Sequence, residues 1–352
     1  MRRISAGELT EFTAALFEAG GVATDEARLV ATSLVGANLR GHDSHGVMRV
    51  PFYLKQVAAG ECKPGAELSI VNETPTLAAA DGNWGFGQTQ AQRLARKLIE
   101  KAQATGIGLG TLVHACHVGR LGEYCELAAD AGLCSIIMVN THGAARRVAP
   151  PGGKVPRLGT NPLALGAPNG STPLILDFGT SATAEGKVRV KRIAGELCPD
   201  GWLLDSEGRP TNDPHSLYGN PPGSIRPMGG DQAYKGFGLA LMIELFAGAL
   251  AGGLCIRETP PNQLGNCAFM LFVNPAMLGG ADHFAREAAD LDAFIRGCPR
   301  IEGCAEILLP GDPERRTLAE RRTNGISIDD GNWAELVKEA ERLGVTAVPL
   351  AS

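Results

Sequence analysis

Apolar positions recur at helical spacing through residues 6–60. The segment Asp25-Glu26-Ala27-Arg28-Leu29-Val30-Ala31-Thr32-Ser33-Leu34-Val35 predicts a helix with acids in its first turn and Thr24 as its cap. A second helix is predicted to start near His45 and to end by Gly60. Leu68-Ser69-Ile70-Val71 and Thr76-Leu77-Ala78-Ala79-Ala80-Asp81-Gly82-Asn83 read as strands around a turn at Asp81-Gly82. Residues 88–104 return to helix, closing at Thr105-Gly106. From there strands and helices alternate, with strands over 108–113 and 134–139 and a helix over 119–131. The stretch 140–185 is rich in Gly, Pro and Thr and reads as loop and strand, as a binding surface would be. A glycine-rich helix over 236–251, a strand over 268–273 and a helix over 281–296 follow. The pattern ends in an amphipathic helix over 332–344 behind the cap candidate Asp330. Neither an internal repeat nor a long linker interrupts it. The expectation is therefore a helical domain from residues 1–75, with 305–352 packing on it, and one mixed-sheet α/β domain over 76–304.

Composition narrows the classes. The chain has 352 residues, of which 44% are hydrophobic, enough to bury a core without disulfide or metal staples. Its 33 Lys+Arg against 38 Asp+Glu give a net charge of −5, which argues against nucleic acid as a partner. The N-terminus is charged but no apolar run follows it, so no signal peptide is read there. Residues 236–255 are largely apolar, yet Glu244 sits near their middle among five glycines, which suits a buried helix better than a membrane span. Nine cysteines without a C-x-x-C pair suggest free thiols and a cytoplasmic setting.

Gly106-Ile107-Gly108-Leu109-Gly110 is not a dinucleotide fingerprint. Its glycines follow a helix and enter a strand, and the third falls at the wrong spacing, so they read as a helix C-cap. No phosphate loop is present either, since Val188 follows Gly186-Lys187.

Four of the seven histidines fall in two clusters, His42-Asp43-Ser44-His45-Gly46 and His114-Ala115-Cys116-His117-Val118-Gly119. A zinc site would need further ligands at familiar spacing, and none is found. A Ser/His/Asp nucleophile lacks the G-x-S-x-G elbow. Acid–base chemistry on a small anion remains. If 45–56 is helical, His45, Arg49 and Tyr53 share one face, and a guanidinium there can hold a carboxylate in two places. His117, where a strand gives way to a glycine-opened helix, can shuttle a proton near neutral pH. Taken singly, the 45–53 residues fit a solvated helix face equally well, and His117 alone reads more readily as a satisfied core histidine.

Together the clusters resemble the type-2 malate/L-lactate dehydrogenase family, NAD(P)-dependent oxidoreductases unrelated to the Rossmann lactate dehydrogenases. The resemblance is carried by Gly41-His42-Asp43-Ser44-His45-Gly46 with Arg49, Pro51 and Tyr53, and by His117-Val118-Gly119-Arg120-Leu121-Gly122-Glu123-Tyr124. It continues in Gly159-Thr160-Asn161-Pro162, Asp177-Phe178-Gly179-Thr180-Ser181, Tyr234-Lys235-Gly236 and Leu309-Pro310-Gly311-Asp312. It is nearest in flavour to bacterial hydroxycarboxylate dehydrogenases. It implies an α/β fold whose non-Rossmann, mixed, largely antiparallel sheet binds NAD, with NADP as the alternative, in a homodimer. It places the catalytic proton donor at His117, substrate and cofactor contacts at Ser44, His45, Arg49, Tyr53 and Thr160, and cofactor contacts at Asn140, Asp177, Phe178, Gly179, Lys235, Gly311, Asp312 and Pro313.

The reaction so implied interconverts a 2-oxo acid and a 2-hydroxy acid by hydride transfer. Arg49 holds the carboxylate, His45 polarises the carbonyl or binds the cofactor, and no metal takes part. Lys235, at the start of the glycine-rich helix, would bring charge to the pyrophosphate. Reduction of a cyclic ketimine such as pyrroline- or piperideine-2-carboxylate is the alternative, and a metal-dependent hydrolase or lyase stands further off. Two departures from the family pattern stand out. The usual Asn-Ser before the catalytic histidine is His114-Ala115, and the usual Pro-Gly-Glu near the end is Pro310-Gly311-Asp312.

Overall fold

The computed structural model describes residues 2–346 and 349. Strand β1 (Arg2–Ile4) leads into helix α1 (Ala6–Ala19). Ser5 closes that helix's first turn by accepting from the Glu8 amide at 3.2 Å and donating to its carboxylate at 2.6 Å. In α2 (Thr24–Leu39) the expected cap Thr24 is already helical, and Ala23 holds the cap position without a side-chain bond.

The next expected helix is interrupted. Two 3-10 turns, Asp43–His45 and Val47–Arg49, precede α3 (Val50–Ala58). Gly46 between them is extended, and the space a Cβ would need there is filled by the Asn38 amide, whose Oδ1 accepts from the Val47 amide at 2.8 Å. The helix resumes where Pro51 fits the first turn, with no need of its missing N–H.

β2 (Ser69–Glu73) and β3 (Leu77–Asp81) form a hairpin. Its turn lies at 74–76, not at Asp81-Gly82: Thr74 Oγ1 accepts the amides of Thr76 and Leu77 at 3.3 and 3.2 Å. The Gly82 amide continues β3's pairing by donating to the Val113 carbonyl. α4 (Gly87–Thr105) ends at Gly106 with φ +92°, the left-handed cap its residue type permits, and β4 (Ile107–Ala115) follows. α5 (Gly122–Asp130) begins three residues later than expected, because Asp177 Oδ2 accepts the Gly122 amide at 2.7 Å and fixes the helix start.

β5 (Cys134–Asn140), β6 (Pro162–Ala167) and β7 (Leu174–Gly179) match the loop-and-strand reading. An unanticipated unit follows, made of α6 (Glu185–Ala194) and a small antiparallel sheet of β8 (Leu203–Leu204), β9 (Pro210–Thr211) and β10 (Ser224–Ile225). The glycine-rich segment is α7 (Tyr234–Ile243), continued by a π-helical stretch over Glu244–Ala249. β11 (Asn266–Val273), α8 (Ala281–Arg296), α9 (Asp312–Asn324), β12 (Ile326–Ile328) and α10 (Asp330–Leu343) complete the chain. Asp329, not Asp330, caps α10, accepting from the Asn332 amide at 2.9 Å.

The main sheet runs β2-β3-β4-β11-β5-β6-β7, with β3–β4 its single parallel pair. It is a mixed, largely antiparallel sheet and not a Rossmann one. On one face α4 and α5 bury Leu94, Leu98, Tyr124 and Ile137, each worth about 1.5–3 kcal/mol of apolar burial. On the other, Ile243 of α7 and Ala247 of the π-helical stretch pack on Leu163. A separate core joins α1, α2, α3, the β1–β12 pair and α10 through Phe12, Phe17, Leu34, Tyr53 and Trp333. β2, although inside residues 1–75, lies in the main sheet. Pairing of Ala115 with Asn266, and of Cys267 with Asn140, brings the ends of β4, β11 and β5 to one edge. His117 emerges from that edge. No helix among the described residues is long and apolar enough to cross a membrane.

Candidate active site

The two histidine clusters meet, though not on a shared helix. Tyr53, buried in α3, brings its hydroxyl to 2.6 Å from His117 Nδ1. The His45 ring stacks on the His117 ring, with centroids 5.3 Å apart and planes 25° from parallel. Ser44 Oγ lies 3.0 Å from His45 Nδ1. Arg49 Nε donates to the Ser44 carbonyl at 2.7 Å, which fixes the guanidinium plane and leaves its two terminal nitrogens without a partner among the described residues. α6 reaches this cluster as well, since a Cβ on Gly186 would stand 3.2 Å from Ser44 Cβ.

Charge and burial act together on these groups. Burial, then the Arg49, His42 and Arg120 charges, drive the His45 pKa down to about 3. Burial, then Arg49 and His45, hold His117 well below the usual histidine range. Burial pushes the Tyr53 phenol up, so it stays protonated. The resting pair of imidazoles is therefore neutral beside one fixed guanidinium.

A second part of the site opens on the far side of residues 42–45. Asp177, Gly311, Arg40, Arg120, Glu314 and Arg315 line a cavity of about 200 Å³. His42 Nε2 reaches Glu314 Oε1 at 3.3 Å, so one 3-10 turn touches both the cavity wall and the imidazole pair. Two segments of the family resemblance distant in sequence, at 177–179 and 310–313, thus converge on one cavity. Burial raises the Asp177 pKa despite its bond from the Gly122 amide. Arg120, almost fully buried, pairs with Glu126 at 2.8 Å, and its charge is felt at both His45 and Asp177.

Other expected contacts are engaged elsewhere. The Asn140 amide donates to Glu244 Oε2 and the Leu254 carbonyl, both at 2.9 Å, and its Oδ1 accepts from the His142 amide at 3.1 Å. Asn140 therefore shapes the site from beneath. The Asp312 carboxylate is held by Arg296, Arg315 and the Leu309 amide, which keep it well below the usual carboxylate range. It locks α8 to α9, while Pro313 is exposed at the start of α9. Thr160 and Gly179 do meet: the Thr160 carbonyl accepts from the Thr180 amide at 2.9 Å, and a Cβ on Gly179 would stand 3.3 Å from that carbonyl. Phe178 is half-buried against the core beside α7. Lys235 is exposed on the first turn of α7, joined by no hydrogen bond or ion pair to the cavity or the histidines.

Sequence reasoning passed over three residues. Gln88 donates to the Tyr53 hydroxyl at 2.9 Å. Asn266 accepts from the Val118 amide at 3.0 Å and donates to the Asn140 carbonyl at 2.9 Å, clamping both sides of the strand edge. Arg120 lay within a recognised motif but had been given no role. A polar residue inside an apolar pattern was the one available signal for Gln88 and Asn266. At the departure preceding His117, His114 Nδ1 lies 2.9 Å from Asp81 Oδ2, and its ring packs against Trp84 and His142. No group of three or more His, Cys, Asp or Glu among the described residues is arranged to hold a metal ion.

The architecture recurs in solved structures. A solved structure titled a putative malate/lactate dehydrogenase from E. coli superposes with a TM-score of 0.91 at 35% identity, covering 99% of this chain and 96% of that one. A delta1-piperideine-2-carboxylate reductase from Pseudomonas syringae pvar. tomato follows less closely, at TM-score 0.82 and 28% identity, covering 97% and 100%. Hydroxycarboxylate dehydrogenase B of Escherichia coli (strain K12) is 36% identical over 348 residues, 97% of this chain and 95% of its own. The family model for malate/L-lactate dehydrogenase matches residues 4–337, and the chain belongs to that family of oxidoreductases.

Proposed function

We propose that the protein interconverts a 2-oxo acid and a 2-hydroxy acid, using NADH or NADPH as hydride carrier. The observation that carries this reading is Arg49. Its two terminal guanidinium nitrogens, unpaired among the described residues, lie close to a neutral imidazole pair of which His117 is anchored at Nδ1 by Tyr53. A planar fork of that kind matches a carboxylate. A carboxylate seated there neutralises the charge that helps depress His117, so substrate binding itself makes His117 a better proton holder. In reduction, protonated His117 donates to the carbonyl oxygen; in oxidation, neutral His117 takes the hydroxyl proton.

The cavity between β7 and α9 suits the far end of a nucleotide. Arg40, Arg120 and Arg315 stand in it against four acids, Glu126, Asp130, Asp177 and Glu314, and Gly311 presents bare backbone at its wall. The bound nucleotide supplies the hydride. Arg49 and His45 would hold the acid by its carboxylate and its C2 oxygen and so orient it for that transfer. α8 carries no buried residue along its length and exposes Phe294 at 78%, which supports a homodimer that sedimentation can read. The nine free thiols, five of them buried, suit a reducing, cytoplasmic setting.

The test is oxidation of NADH and NADPH against pyruvate, oxaloacetate, phenylpyruvate, sulfopyruvate and pyrroline-2-carboxylate, with and without a chelator. Turnover of 2-oxo acids that His117→Ala abolishes, with cofactor binding held within about threefold, is expected. Turnover confined to the cyclic imine, or lost on chelation, would replace this reading with one of its alternatives.

A further inference from the structure

Gln88 is the second residue of α4 and is fully buried. Its amide nitrogen donates to the Tyr53 hydroxyl at 2.9 Å, and that hydroxyl stands 2.6 Å from His117 Nδ1. The other end of the same amide, Oε1, is buried without any partner. The helix start is pressed hard against the histidine: a Cβ on Gly87 would collide with the backbone of Cys116 and His117. Gln88 is thereby held in reach of Tyr53 but not of His117 itself.

A phenol has one proton. Where the Gln88 N–H enters the Tyr53 oxygen, the phenol proton is directed to His117 Nδ1, and the neutral ring must then carry its own proton on Nε2. In that arrangement Nε2 offers a hydrogen bond but has no lone pair to accept a proton from an alcohol. Half a turn of the amide presents Oε1 to Tyr53 instead. The chain of bonds then reverses, from His117 Nδ1–H to the Tyr53 oxygen and from Tyr53 O–H to Gln88 Oε1, and Nε2 is free to take up and release the substrate proton. The orphaned Oε1 gains the partner it lacks, and Gln88 Nε2 gives up its bond to Tyr53 in exchange.

We propose that Gln88 is a positioning residue that, acting through Tyr53, sets which ring nitrogen of His117 carries the proton. The consequence for turnover rests on His117 being the proton donor and acceptor; the tautomer does not. With the amide reversed the reaction balances: the alcohol proton moves to His117 Nε2 as the C2 hydride passes to the pyridine nucleotide, and the reduction runs the same path backwards. The groups facing this relay are His45 and Arg49 from the two 3-10 turns and the Cys62 and Cys116 thiols beside Tyr53. None of these bonds to Tyr53 Oη, so the relay has a single controlling amide.

Nitrogen NMR of histidine-labelled protein reads the tautomer without turnover. The free enzyme is expected to hold His117 as the Nε2–H form near neutral pH. Gln88→Glu presents only acceptors once its carboxyl is ionised, and at such pH it is expected to move the proton to Nδ1. Gln88→Met keeps the shape and removes both ends of the amide, and kcat is expected to fall about 10-fold or more while both KM values stay within about threefold. An Nδ1–H form in the wild type, the same tautomer in Gln88→Glu, or a Gln88→Met kcat within about twofold of wild type would overturn the proposal. If Gln88→Glu fails to fold, the wild-type tautomer and Gln88→Met decide. Turnover surviving in His117→Ala would remove the parent reading alone and leave the tautomer result standing.

Discussion

Replacing Arg49 separates two functions that one side chain combines. Its Nε is bound to the Ser44 carbonyl at 2.7 Å, so the guanidinium plane is set before any ligand arrives and two N–H edges remain for a carboxylate. Hydrogen bonds to charged groups contribute about 1.5–3 kcal/mol each. Arg49→Lys keeps the charge but loses one of the two bonds and the preset plane. The expected loss is about 2–3 kcal/mol, or about 30- to 150-fold in kcat/KM for a 2-oxo acid, most of it in KM. The charge has its own role, because Arg49 follows burial as a cause of the depressed pKa at both His45 and His117. Arg49→Met removes that charge, so both histidines protonate more readily and the limb of the pH profile governed by His117 moves to higher pH. Arg49→Lys leaves that limb in place. Initial rates of NADH oxidation across pH and substrate concentration, with cofactor binding followed by fluorescence, distinguish the two effects. A KM for 2-oxo acids within about threefold of wild type in Arg49→Lys would place the carboxylate clamp elsewhere. A pH profile moved by Lys and not by Met would refute the electrostatic half of the argument.

The same histidines make the fold acid-sensitive. His45 has a folded pKa of about 3 against 6.5 unfolded, so stability is untouched above 6.5 and falls as the pH drops towards 3, where the unfolded chain binds a proton the folded one refuses. By pH 5 the loss from His45 alone is about 2 kcal/mol; urea denaturation at a series of pH values reads it, and His45→Asn should flatten the slope. Glu244, 2% exposed, accepts from Asn140 Nδ2, Asn161 Nδ2 and the Ile256 amide, each at 2.9 Å, so Glu244→Gln sets a donor among three donors. It should lower unfolding stability by about 2–3 kcal/mol; a change under about 0.5 kcal/mol would mean that the knot carries no strain when its charge is removed.

Helices with a clean apolar stripe and a plain stop signal were legible from the chain. Residues 281–296 are helical as expected, and Gly106 caps α4 as its place in the pattern requires. The histidine–arginine–tyrosine grouping was also legible, but through the wrong local structure. The i, i+4, i+8 spacing assumed one helix, whereas Asn38 folds its amide into the place of a Gly46 side chain and breaks that helix into turns. The three side chains converge because the tertiary packing of α3 and α2 brings them round. What pairs over long distances left no local trace. β1 and β12 are three residues each and lie more than 300 residues apart, and β8 to β10 are two residues each. Gln88, Asn266 and Glu244 were invisible for a related reason. An amide or a carboxylate gains its meaning from the partner it meets, and those partners come from other elements of the fold. Glu244 marked the glycine-rich segment as a poor membrane span, yet nothing nearby in the chain announced the two asparagines that it ties together.

The departure at His114 shows how an unusual residue close to His117 is accommodated. The residue sits at φ +48°, a left-handed conformation that asparagine enters readily and that histidine tolerates. Trp84 and His142, whose rings lie 5.2 and 5.3 Å from that of His114, have positive φ as well. Three strained residues packed on one another persist only where their surroundings over-determine them. Here the surroundings are explicit: the Trp84 amide donates to the His114 carbonyl at 2.6 Å, Asp81 holds the His114 ring, and the Cys116 amide donates to the Gly85 carbonyl at 3.0 Å. These bonds lace the end of β3 to the end of β4 immediately before His117 leaves the sheet. The strand edge that delivers His117 to Tyr53 is therefore held by backbone pairing that asparagine or histidine at 114 would equally retain. What His114 changes is the lining beside that edge, where its imidazole, His142 and Trp84 replace whatever an asparagine would leave open. The strand edge and the lining are thus set by different atoms, the first by backbone bonds and the second by the side chains at 84, 114 and 142.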